Sequence, residues 1–335
     1  MAGRLGDRLD SGNIFAAALA ASLIVLFFLV LFEPQSASGD KVKVAGGLPN
    51  PAPIAVVKPE PEVTAPYSPS APAPAADDPA AKWDSLFNQT APEEGVVLPA
   101  RWGDVGPKLL SSGVMDYGLL DISMRKSGRP LSAGQERIVR EGSGENVTIT
   151  RENRVFVLSM FWALGLANEN PVITAGPLSN TPDVPRDRFA STGGWGLSRR
   201  NVNDLVSSAR IITLSPRQQE IVESVAKKTY RPCCDNPTYF PDCNHGMAAL
   251  GLAELLASQN ASEEQVMRAV LYANAYWFPQ NYLDIAEYFR ERGNGWRDVN
   301  ASAVLGAEYS SASGYERIRK SLREKPVLRQ DATSC

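Results

Sequence analysis

Apolar and polar positions divide the chain into three stretches of different character. From Ile14 to Phe32 the run IFAAALAASLIVLFFLVLF carries no charge. At about 1.5 Å per residue, a helix of that length covers a hydrocarbon core of roughly 30 Å, so a transmembrane signal-anchor is predicted at 14–32. Glu33 and Pro34 stop it. The run exceeds the roughly 7–15 apolar residues of a signal-peptide core. Ser36-Ala37-Ser38 before Gly39 would nevertheless suit cleavage after residue 38, and either reading exports the remainder. Arg4 and Arg8 before the span are nearly balanced by Lys41 and Lys43 after it, so basic residues alone do not orient it. Placing the short tail, 1–13, in the cytoplasm leaves a single-pass protein with its long part on the extracytoplasmic side.

Residues 33–100 have few large apolar positions, and thirteen of the 25 prolines fall between Pro34 and Pro99. Such a stretch cannot bury enough surface to offset the ordering of its backbone, so it reads as a disordered Pro/Ala-rich stalk. Trp83, Leu86 and Phe87 form one apolar group within it, suited to a contact motif or a transient helix.

Helical periodicity dominates residues 101–326, which carry 20 of the 27 aromatics. Ser132 with Gln135, Ser215 with Gln218, and Ser262 with Gln265 have capping-box spacing ahead of apolar positions three and four residues apart. Pro216 stands at a first helical position, and Pro279 ends the third of these helices. Thr150 to Asn168 predicts a central helix with Val155, Leu158, Phe161, Trp162 and Leu164 around most of its circumference. Strand signals are confined to Gly95–Leu98 and Ala209–Leu214. The expected fold class is therefore all-α: one helical domain at 101–326, followed by a tail at 327–335. Its longest loop, Pro171 to about Arg200, is of a size that usually covers a site. Trp195 in it would lie over a neighbouring surface or tuck into the edge of the core. The basic run from Tyr315 to Arg329 reads as a solvated terminal helix.

Charge narrows the function. With 34 basic and 37 acidic side chains the net charge is −3, so no nucleic-acid partner is expected. Four cysteines are too few for a disulfide-built scaffold, and a single histidine excludes sites that need two.

Those scarce residues converge. Cys233, Cys234, Cys243 and His245 lie within thirteen positions of YRPCCDNPTYFPDCNHG. Three thiolates and an imidazole suit a transition metal, zinc by default, with copper or iron as alternatives. The spacing is unlike that of a zinc finger, and adjacent cysteines reach one ion only across a sharp turn, which Pro232, Pro237 and Pro241 could supply. A small-residue helix from Gly246 would place Cys243 and His245 at its N-terminus, with Asn244 as cap and Asp242 or Asp235 orienting the imidazole. Two other readings stay open. Cys243 could pair with Cys233 or Cys234 in a disulfide, giving a membrane-tethered interaction module with a protein partner. Alternatively, Cys243 could be a nucleophile with His245 as base, an arrangement the two-residue spacing opposes. Cys335 falls outside the cluster. The leading expectation is metal handling, sensing or redox at Cys233, Cys234, Cys243 and His245, and catalysis, if any, would be thiol- or metal-dependent redox chemistry.

FWALGLANENP at 161–171, STGGWG at 191–196 and YRPCCDNPTYFPDCNHG at 230–246 together resemble a family of membrane-anchored prokaryotic proteins with no assigned activity. The resemblance spans most of the head. It implies that the cysteine-histidine segment is the signature, and it supplies no substrate, metal or mechanism.

Overall fold

The computed structural model describes residues 79–181 and 183–328. The expected anchor at 14–32, the cytoplasmic tail, most of the stalk and Cys335 lie outside them. Among the described residues no helix is long and apolar enough to cross a membrane.

The core is built on two helices, α5 (Arg154–Ala167) and α9 (Asn244–Ser258). Both are apolar nearly all round: every residue from His245 to Ala257 is buried, as are most of those in α5. They meet backbone to backbone. A Cβ added at Gly165 would lie 2.1 Å from the Met247 carbonyl oxygen, and one at Gly251 would lie 2.3 Å from that of Phe161. The small residues expected to permit close packing thus do so at one specific crossing.

The predicted capping boxes form as written. Ser132 starts α4 (Ala133–Arg140), Ser215 starts α8 (Pro216–Lys228) and Ser262 starts α10 (Glu263–Trp277), each with reciprocal side-chain bonds. Each satisfies amides that helix geometry leaves without partners. Pro279 ends α10 and opens α11 (Pro279–Arg290). α8 and α10 flank α9, and α11 packs on α10. Short helices α12 (Ala301–Val304) and α13 (Ala307–Ser310) lead to α14 (Ala312–Ser321). The last is not simply solvated. Arg319 and Tyr315 both reach the buried Asp284 of α11, at 2.6 and 2.7 Å.

The fold is mostly helical, as expected, with one small sheet. β1 (Val96–Gly103) pairs antiparallel with β2 (Ser143–Ile149). Alternate residues Leu98, Ala100 and Trp102 point inward, and Trp102 stacks on Phe161 with ring centroids 5.5 Å apart. The Gly95–Leu98 signal was therefore the start of a longer strand. Ala209–Leu214 forms a single parallel bridge, Ala209 to Asn168, and no strand.

The folded body begins earlier than residue 101. α1 (Pro79–Thr90) lies on α11, its Leu86 is buried, and Lys82 reaches Glu287 and Glu324. Farther on, the Tyr276 hydroxyl donates to the Pro92 carbonyl at 2.7 Å and Arg151 to that of Ala91 at 2.8 Å. The apolar trio at 83–87 had signalled this contact against a proline-rich background.

The 171–200 segment is broken into short turns, including α6 (Pro171–Thr174) and α7 (Ala190–Gly193). Trp195 takes the core-edge alternative: its indole N–H donates to the Val114 carbonyl at 2.8 Å, and its ring meets Trp162 edge-on.

Candidate metal centre

The segment from Tyr230 to Cys243 is an irregular loop tied down at many points. The Tyr230 amide donates to the Leu305 carbonyl at 2.7 Å, and the Thr238 amide to that of Thr229 at 2.8 Å. From the C-terminal side, the Ala312 amide donates to the Cys234 carbonyl at 3.0 Å and the Ser313 amide to the Asp235 carboxylate at 2.8 Å. From the 171–200 side, the Ser191 amide reaches the Asp242 carbonyl at 3.0 Å, and Phe189 packs edge-on against Phe240. That segment braces the cysteine loop from outside.

At the centre sits Arg231, 1 % exposed. Its guanidinium donates to the Asn236 carbonyl at 2.6 Å, to the Phe240 carbonyl at 3.2 Å, to the Asp242 carboxylate, and to Cys243 Sγ at 3.1 Å. A buried guanidinium is sustained by such a full set of acceptors. Burial alone would lower its proton affinity, but Cys243, Cys234 and Asp242 together hold it above the ordinary value.

Cys243, rather than Asn244, caps α9. Its extended backbone lies just off the helix, and Sγ accepts the Gly246 amide at 3.3 Å. Gly246 has to be glycine here, since a Cβ would lie 2.6 Å from Arg231 Cζ. Cys233 Sγ is 3.3 Å from Cys243 Sγ. Hydrogen bonds from Cys233 and Cys234, with the Arg231 guanidinium, drive the Cys243 thiol far below its usual range, whereas Cys233 is pushed up.

The four predicted ligands come together as two overlapping sets that share Cys243. Cys233, Cys243 and His245 offer ligand atoms within 4.8 Å of one another, and so do Cys234, Asp242 and Cys243. The adjacent cysteines thus fall into different sets, joined through the shared Cys243. Zinc-bound sulfur and nitrogen lie about 2.0–2.3 Å from the metal, so the first set closes on an ion with shifts of about an ångström.

His245 is 4 % exposed and lies against Phe278, with ring centroids 4.2 Å apart. Neither ring nitrogen has a hydrogen-bond partner. The expected orienting role of the two aspartates is not observed: Asp242 accepts from Arg231 and Asn236, and Asp235 from Ser313. Buried imidazole nitrogens ordinarily find partners, so these two stand out as polar atoms left available beside the Cys233 and Cys243 sulfurs.

Arg231 and Gly246 escaped the sequence reading. Arg231 did leave a trace, being the only lysine or arginine between Lys228 and Arg268. No family model, curated protein or solved structure matches the chain.

Proposed function

We propose that the head binds one transition-metal ion through Cys233, Cys243 and His245, with Cys234 and Asp242 forming a flanking set around the shared Cys243 sulfur. The observation that carries this is the unpartnered, buried imidazole of His245 within 4.8 Å of two sulfurs. Leaving one such nitrogen unsatisfied costs about 1–3 kcal/mol, a cost that a metal bond removes at the nitrogen that ligates. Thiolate and imidazole donors favour zinc or copper(I) over magnesium or calcium. Gly246 N–H and Arg231 supply the outer hydrogen bonds that position a ligating thiolate. The task is metal handling or sensing, performed at a membrane if residues 14–32 anchor the chain as their apolar length suggests.

The test is elemental analysis of the full-length chain, prepared anaerobically and reduced, with thiols counted on the same sample. One zinc or copper per chain is expected, lost in Cys233→Ser, Cys243→Ser and His245→Ala. A metal-free preparation that takes up neither ion on addition overturns the reading.

A further inference from the structure

Cys233 and Cys243 approach from opposite ends of the loop, and their sulfurs are 3.3 Å apart. A disulfide bond is about 2.0 Å long, so the two have only about 1.3 Å to travel. Their surroundings differ. Cys233 is exposed, while Cys243 is half-buried and fixed by the Gly246 and Arg231 N–H groups. Cys234 has its own contact, Asp242 at 3.7 Å. One sulfur is thus reachable from solvent, the second is held against it from behind, and the third points to a carboxylate.

We propose that Cys233 and Cys243 form a thiol–disulfide exchange pair acting on small-molecule disulfides, with Cys233 reacting first. Cys233 attacks one sulfur of the small disulfide, forms a mixed disulfide and expels one thiol, to which its own proton passes. The Cys243 thiolate then attacks the Cys233 sulfur, closes the Cys233–Cys243 bond and expels the second half as a thiolate, which takes its proton from water. Two electrons pass from the pair to the small disulfide, which leaves as two thiols. Two such thiols run the sequence backwards. The proposal goes beyond metal binding and does not depend on it. The two sulfurs cannot hold an ion and each other, so exchange belongs to the metal-free chain and oxidation expels the ion.

The experiment uses the full-length chain, stripped of metal with a chelator, reduced, and treated with glutathione disulfide at neutral pH. Peptides are then mapped without reduction. A Cys233–Cys243 bridge is expected. Cys243→Ser should trap glutathione on Cys233, and its serine oxygen can still accept the Gly246 amide, so the cap of α9 is kept. Cys233→Ser should slow modification of Cys243 by at least about tenfold, because access through Cys233 is lost. A bridge that includes Cys234, first modification at Cys234 or Cys243, or reaction only after denaturation overturns the proposal. Failure of the metal reading is distinguishable: a chain that takes up no zinc or copper yet forms the bridge sinks that reading alone. A chain that binds an ion and, once stripped, forms no bridge sinks the exchange pair alone.

Discussion

Arg231 Nε donates to Cys243 Sγ at 3.1 Å, joining the start of the cysteine loop to the helix cap at its end. The same guanidinium holds two loop carbonyls and the Asp242 carboxylate, so it serves as the internal scaffold of a segment with no regular structure. Arg231→Met fills the volume but takes its donor from each of these acceptors, and of them Asp242 keeps Asn236 and Cys243 keeps the Gly246 amide. Breaking a buried charged pair costs about 3–5 kcal/mol, and Asp242 retains some exposure, so a loss near about 3 kcal/mol is expected. Urea unfolding of the reduced chain measures it. A change below about 1 kcal/mol would show that the loop does not depend on this side chain.

Gly246→Ala tests the same contact from the other side. The new methyl group would lie 2.6 Å from Arg231 Cζ and Nη2, and the guanidinium has little room to retreat. Overpacking of this kind costs about 1–3 kcal/mol. The cost should shrink when Arg231→Met is already present, since the obstructing planar group is gone. A double-mutant cycle by urea unfolding reads this coupling, and strictly additive effects would contradict it.

His245→Leu separates a ligand from a structural histidine. In the metal-free chain the imidazole makes ring contacts with Phe278 and Trp277, while its nitrogens have no partners. An apolar side chain keeps the ring-side packing and removes two unsatisfied polar atoms. The metal-free variant should therefore be at least as stable as the parent while losing its ion. Thermal unfolding with and without chelator checks both halves. A destabilised metal-free variant would mean that the imidazole has a structural role.

Much of this was legible from residue order because the relevant interactions are local. The boxes opening α4, α8 and α10 each need only four consecutive residues, so Ser132, Ser215 and Ser262 announced them. That Cys233, Cys234, Cys243 and His245 would lie near one another was legible because cysteine and histidine are scarce. Their arrangement was not. Which cysteine faces His245, and that Asp242 answers to Arg231, depend on a loop braced by Leu305, Ala312 and Ser191, residues far away along the chain. The start of the folded body was hidden for a similar reason. The helix at 79–90 is held by α11, and its apolar trio at 83–87 signals a contact but not which partner makes it.

Glu254 gives the fold a pH dependence separate from the cysteine chemistry. It lies on α9, 0 % exposed; Oε1 accepts from Asn170 Nδ2 at 2.6 Å, and the groups acting on the carboxyl are the neutral amides of Asn170 and Asn168. Burial raises its carboxyl well above the ordinary 4.5, and the Asn170 bond with the nearby Asn168 amide offsets only part of that. The folded chain therefore keeps a proton that the unfolded chain releases. Below about 4.5 both states are protonated and this group imposes no slope; above it the unfolded state binds fewer protons, so stability falls as pH rises toward the folded value. The slope approaches about 1.4 kcal/mol per pH unit in that window. Glu254→Gln cannot release a proton from either state and should flatten the curve, leaving the variant more stable than the parent at pH values above the folded one. Urea unfolding of parent and variant across mildly acidic to mildly alkaline pH decides it. Parallel curves would mean that Glu254 is charged in the folded protein, and its burial would then need a cation that neither neighbouring amide supplies.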